Sequence, residues 1–173
     1  MLMKRPSNWS PVIPFIALLV TGCTPAEDPQ VTKYRNNLLL REEPAGSVTI
    51  ESARSEINSK TNVVLTGRIG TRELSQWWID GSASFYVSEG MPDSHYNVGP
   101  DHDPSTCPFC RHKWKLHDSM AIVHLVDKSG ERISIPATDL LDVEKDDIVV
   151  ATGTASLHES GFLVIESTGL FVR

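Results

Sequence analysis

Between residues 62 and 70, Val63, Leu65 and Ile69 fall on one face of an extended chain, and Val64, Thr66 and Arg68 on the other. A period of two predicts a half-buried strand, because successive side chains of a strand point to opposite faces of its sheet. Gly67, inside this run, is placed where a bulge or sharp bend would form. Four further runs carry strand signals, at 84–88, 121–126, 147–155 and 162–166. Lys128-Ser129-Gly130 supplies turn chemistry that brings 132–135 back as a hairpin arm, and Glu159-Ser160-Gly161 does the same before the last run.

Helical periodicity is sparse. Ile50, Ala53 and Ile57 recur at i, i+3 and i+7, predicting a short amphipathic helix within 49–60. A second helical turn or two is predicted over 136–143, with Leu140 and Val143 as its apolar face. Residues 31–48 hold Leu38-Leu39-Leu40 and then Arg41-Glu42-Glu43-Pro44, consistent with a short strand or turn, and their pattern does not determine the element. Residues 24–30 are polar, contain two prolines and lack apolar periodicity, as a flexible tether does. The chain has no internal repeat.

Five strand runs with a short helix before the fourth resemble an OB-fold over residues 49–173, most closely in the final pair of runs from Asp146 to Ser167. The resemblance implies an all-β fold, a small Greek-key barrel with one or two short helices. The departure is the 29-residue stretch 91–119, far longer than a barrel loop needs. Loops of that length without secondary structure in a compact domain are commonly functional or disordered.

The N-terminus has another character. Lys4 and Arg5 precede an apolar stretch at 11–20 that is too short to span a bilayer, the profile of a cleavable leader. Val20-Thr21-Gly22-Cys23 resembles the lipobox of bacterial lipoproteins. That resemblance implies a signal peptide at 1–22, lipidation (palmitate among the acyl groups) of Cys23, a tether at 23–48 and the barrel domain at 49–173. It also implies a cell-envelope location on a membrane. Thr24 stands where many inner-membrane lipoproteins carry aspartate, so the outer membrane, facing the periplasm, is the expected site.

Charge narrows the partners. After position 22 the chain has fourteen Lys and Arg against twenty-two Asp and Glu, a net charge of −8. Binding a phosphate backbone requires clustered cations that displace counterions, and no such cluster occurs, so nucleic acid is an unlikely partner.

With Cys23 lipidated, Cys107 and Cys110 are the remaining thiols, and both lie in the 91–119 insert with four of the six histidines. His102, Cys107, Cys110 and His117 supply two thiolates on one tight turn and an imidazole on either side, the N/S set that tetrahedral zinc prefers. A metal would order a loop that has no apolar core of its own, because ligation free energy replaces missing burial. His95 and His112 are alternative ligands, and Asp101, Asp103 and Asp118 are acceptors for the ligands' free N–H groups. A plain disulfide between the two cysteines is the simplest alternative.

Copper ranks below zinc: Cys107, Cys110, His117 and Met120 resemble the ligand set of dinuclear copper domains, but those space their cysteines more widely. Thr106-Cys107-Pro108-Phe109-Cys110 also resembles the glutaredoxin active-site motif, which would make Cys107 the attacking thiolate and Cys110 the resolving one. The polar stretch before it and the missing βαβ after it depart from that family. Haem attachment fails, because Arg111 stands where the histidine is required.

Outside the insert, Trp77 and Trp78 beside Asp80-Gly81 form either a stacking platform for a ligand or the cap of a barrel end. His124 and His158 have the settings of structural residues, and no catalytic triad or phosphate loop emerges from spacing. The expectation is therefore a non-enzymatic, membrane-tethered module with a zinc-stabilised loop that binds a protein or small ligand. Its alternatives are a thiol-disulfide redox lipoprotein and an OB-fold ligand binder in which the insert is incidental.

Overall fold

The computed structural model describes residues 28–59, 61–71, 74–89 and 119–173. It is an all-β fold with few helices, built on one mixed six-stranded sheet. β1 (Asn62–Ile69) pairs antiparallel with β5 (Ile148–Leu157), from Asn62↔Thr154 to Arg68↔Ile148. β5 pairs antiparallel with β6 (Leu163–Val172), and β6 runs parallel to β4 (Met120–Leu125). β4 pairs antiparallel with β3 (Ser84–Ser88), which carries the short edge strand β2 (Trp78–Ile79). Two further pairs, Arg68↔Ser88 and Ile69↔Val87, link β3 back to β1.

The alternation expected for the first strand holds. Val63, Leu65 and Ile69 are buried, and the intervening Val64, Thr66 and Arg68 are half-exposed. Gly67 lies on the buried face, and the β1–β5 register passes through it unbroken. A Cβ there would approach the Val87 Cβ to 2.9 Å, so this glycine serves close approach of β3 and not a bulge. The register shift lies elsewhere, between Thr152 and Gly153. Gly169 faces Thr152 and Ser167 faces Gly153, which leaves Thr168 as the extra residue of a bulge in β6. The Ser167 hydroxyl donates to the carbonyl oxygens of Thr152 (3.1 Å) and Gly169 (2.9 Å), satisfying groups near the interrupted ladder.

Two expectations need correction. The 132–135 arm forms only a single bridge, Val126↔Arg132. Its chain is bent by the Asp127 carboxylate, which accepts from Ser129 N–H (2.8 Å), Ser129 Oγ (2.6 Å) and Glu131 N–H (3.0 Å). The segment expected as a tether up to residue 48 contains helix α1 (Pro29–Leu38), which packs on the core through Val31 and Leu38. Asp28 caps it by accepting from Gln30 N–H at 2.8 Å, and Pro29 suits the first helical turn because its missing N–H would have no partner there.

α1 is fixed from the far end of the chain. The Arg35 guanidinium donates to the carbonyl oxygens of Leu140 (2.7 Å) and Asp139 (3.2 Å), at the C-terminal end of helix α3 (Ala137–Leu140). Those carbonyls have no intrahelical partner, so a cation there satisfies them and complements the helix dipole. Beyond α1, Leu40 N–H donates to the Leu170 carbonyl, and Val48 exchanges backbone bonds with Val64 and Thr66 beside β1.

The helix expected within 49–60 is α2 (Ile50–Glu56), with Ile50 and Ala53 buried. Thr49 Oγ1 accepts from Ser52 N–H at 3.2 Å, and Glu89, just past β3, accepts from Glu51 N–H at 2.6 Å. Buried side chains of the sheet fill the core, led by Leu65, Ile69, Phe85, Leu125, Leu163, Ile165 and Leu170.

Candidate functional site

Cys23, His102, Cys107, Cys110 and His117 lie outside the described residues, as do His95 and His112. The described structure does fix where the insert begins and ends. Ser88 and Met120 are register partners across β3 and β4, and Glu89 N–H donates to the Ser119 carbonyl at 2.9 Å. The strand ends thus meet as they would across a tight hairpin turn. Met120, the thioether of the copper alternative, is buried at 1% exposure as the first residue of β4. Among the described residues no group of three His, Cys, Asp or Glu is placed to hold a metal, and no helix is long and apolar enough to cross a membrane.

The two tryptophans have different environments. Trp77 is 8% exposed and belongs to the core cluster, in edge-to-face contact with Trp78 (centroids 5.5 Å apart) and with Phe85 (6.3 Å). Such edge-to-face geometry suits the ring quadrupoles. Trp78 is half-buried on β2, and its indole N–H donates to Asp80 Oδ1 at 3.1 Å. Gln76 Nε2 donates to the same carboxylate (3.2 Å) and to the Trp78 carbonyl (2.9 Å), bracing the turn. Of the pair, only the Trp78 ring is accessible, and Trp77 belongs to the core.

The structure also assembles a polar cluster that spacing did not disclose. Ser84 on β3 and His124 on β4 are register partners, and the Ser84 hydroxyl lies 2.7 Å from His124 Nδ1. The Ser82 hydroxyl donates to Ser84 Oγ at 3.0 Å, and Ser84 either donates to an unprotonated Nδ1 or accepts from Nδ1–H, according to the imidazole tautomer. The forty positions separating Ser84 from His124 include the whole insert, so only the strand pairing reveals the contact.

A serine beside a histidine resembles a nucleophile and its base, but Ser84 is 1% exposed and, among the described residues, no carboxylate is hydrogen-bonded to the ring. The pair satisfies two buried polar groups between neighbouring strands. Burial pushes the His124 pKa down to about 4, with the charges of Arg132 and His158 adding to the shift. Glu166, its register partner on β6, is the facing acid.

The sign of the pH effect follows. The unfolded chain protonates His124 near its ordinary 6.5, whereas the folded chain resists until about 4. This contribution is complete above pH 6.5 and is lost as the pH falls through that window, at about 1 kcal/mol per unit or less once partial screening is included. Urea unfolding at pH 7, 6 and 5 is expected to show this slope, and His124→Asn, which can still accept from Ser84, is expected to flatten it. An unchanged slope in the variant would place the proton uptake elsewhere.

Searches against protein-family models and curated proteins give no match for this sequence.

Proposed function

We propose that this chain is an envelope lipoprotein, anchored to a membrane through acylated Cys23, whose OB-like barrel carries a zinc-stabilised binding loop. The observation that carries the reading is the root of the insert. The fold needs only a tight turn between Ser88 and Met120, and the chain spends 89–119 between them. A segment that the sheet does not require is where function is expected.

The barrel reading has topological support. The pairing series β1–β5–β6–β4–β3 comes back to β1, and the parallel β4–β6 contact sits where an OB-like strand order requires one. α3 lies between β4 and β5, in the place of the short OB helix. Inside the loop, His102, Cys107, Cys110 and His117 would hold zinc as two imidazoles and two thiolates, closing the coordination shell and leaving a structural ion. The loop would then present a surface to a protein or small ligand, with outer-membrane attachment facing the periplasm.

Metal analysis of protein purified without chelator tests the reading. One zinc per chain is expected, falling to near zero in a Cys107→Ser, Cys110→Ser double variant whose circular dichroism still reports a folded sheet. A metal-free wild-type chain with a readily reduced Cys107–Cys110 disulfide would overturn it in favour of dithiol exchange. Retention of stoichiometric metal by the double variant would remove these cysteines from the site.

A further inference from the structure

A cavity of about 290 Å³ lies where α1 crosses the end of β4 and the β6 bulge. Its floor is apolar, formed by Leu38, Val126 and Ile133, each 3% exposed, with the half-buried ring of Tyr34 on one wall. Its lining also carries Lys33 from α1, Lys128 from the turn after β4, and Thr168. Thr168 is the unpaired residue of the β6 bulge, a device that re-aims a side chain out of the ladder.

Charge separates this cavity from the rest of the surface. The described residues hold nine Lys and Arg against sixteen Asp and Glu. Five of the nine cations are committed: Arg35, Arg54, Arg68 and Lys145 donate to backbone carbonyls, and Arg173 to the Glu43 carboxylate. Among the described residues the side chains of Lys33, Arg41, Lys128 and Arg132 make no hydrogen bond or ion pair, and two of these four line this cavity. The acid on the lining, Asp127, has Oδ1 engaged by three donors of its own turn, which hold its carboxyl below the usual range. Asn37 spends its amide N–H on the Lys33 carbonyl and leaves its own oxygen free.

We propose that this cavity binds a single-chain amphiphilic carboxylate, with its alkyl chain on the Leu38–Val126–Ile133 floor and its head between Lys33 and Lys128. An apolar floor with a few convergent polar groups is the usual build of a small-ligand site, and 290 Å³ stands at the small end of the ~300–1,000 Å³ range. Displaced water occupies about 30 Å³ per molecule, so the cavity suits a ligand on the order of ten heavy atoms, a medium-chain fatty acid. Two ammonium groups in an otherwise acidic domain select the anion over a neutral or cationic amphiphile.

Titration of the chain with decanoate, followed by calorimetry and by amide NMR shifts, tests this. Saturable one-to-one binding is expected, with shifts centred on Lys33, Lys128 and Thr168, and with 1-decanol at least tenfold weaker. A Lys33→Glu, Lys128→Glu double variant is expected to weaken decanoate at least tenfold while leaving 1-decanol unchanged. Equal affinity for decanoate and 1-decanol on the wild-type chain, shifts centred elsewhere, or no saturation at millimolar ligand would each overturn the proposal. The wild-type comparison stands even if the double variant does not fold. Neither arm depends on the metal content of the insert, so the two proposals fail separately.

Discussion

Gly153→Ala is expected to cost about 3 kcal/mol or more of stability, near the upper end of what single substitutions do. A Cβ at this position would lie 2.1 Å from the Glu166 carbonyl oxygen and 2.8 Å from both its carbon and the Ser167 Cα. These are backbone atoms of the neighbouring strand, so no side-chain rotation relieves the overlap. β5 and β6 would have to separate at the bulge, where the Ser167 hydroxyl bridges the carbonyls of Thr152 and Gly169. The control is Gly81→Ala. Gly81 has φ +76 and open space around its Cβ position, so that change carries only the left-handed backbone penalty of about 1–2 kcal/mol. Urea midpoints of the two variants should therefore differ clearly, and equal losses would mean that the strands accommodate the methyl group.

Trp77→Ala is expected to destabilise the fold by about 3–5 kcal/mol, as large-to-small changes of buried aromatics do. The ring is almost fully enclosed, and its removal strips edge contacts from both Trp78 and Phe85 while leaving a cavity at the β2–β3 corner. Trp78→Ala should cost about 1.5 kcal/mol or less, because its ring is half-exposed and its hydrogen bond to Asp80 is replaceable by water. Thermal unfolding of the two variants separates a core role from a surface one. A small loss in Trp77→Ala would return that ring to the list of ligand contacts.

Periodicity carried the sheet because a strand with one buried face writes its pattern directly into the chain. All five predicted strands appear, and the first begins at the expected residue. The last was truncated at Glu166 because Ser167, Thr168 and Gly169 break the apolar alternation, and those residues form the bulge after which β6 continues to Val172. α1 was hidden by composition. Its apolar positions, Val31, Tyr34 and Leu38, do recur at i, i+3 and i+7, but polar residues and the preceding prolines mask a stripe only one residue wide. What makes that helix worth forming is remote: Arg35 reaching Leu140, across more than a hundred positions.

The candidate chemistry was legible to different degrees. A doublet such as Trp77-Trp78 announces itself, but which ring is enclosed depends on packing against Phe85 and the rest of the core, which no periodicity can show. Ser84 and His124 were invisible as a pair, since their contact exists only through strand pairing. The cavity beneath Lys33 and Lys128 is likewise a product of chain crossing, assembled from three segments that share no motif.

The pairing of β1 sets an order on folding. Its register partner is β5, with Val63 opposite Gly153, ninety positions later in the chain. Apart from its bonds to Val48 and its two pairs with β3, the ladder of β1 stays unsatisfied during synthesis until β5 has been made. Closing so long a loop is entropically costly before any contact rewards it, and sheets dominated by distant pairings fold slowly for that reason. The β5–β6 hairpin, local and tied at its tip by Arg54 to Gly161, is suited to form early and serve as the template onto which the older strand docks. A chain held back in this way spends its vulnerable interval with an apolar strand edge uncovered, which makes refolding yield, more than final stability, the property most sensitive to changes in β1.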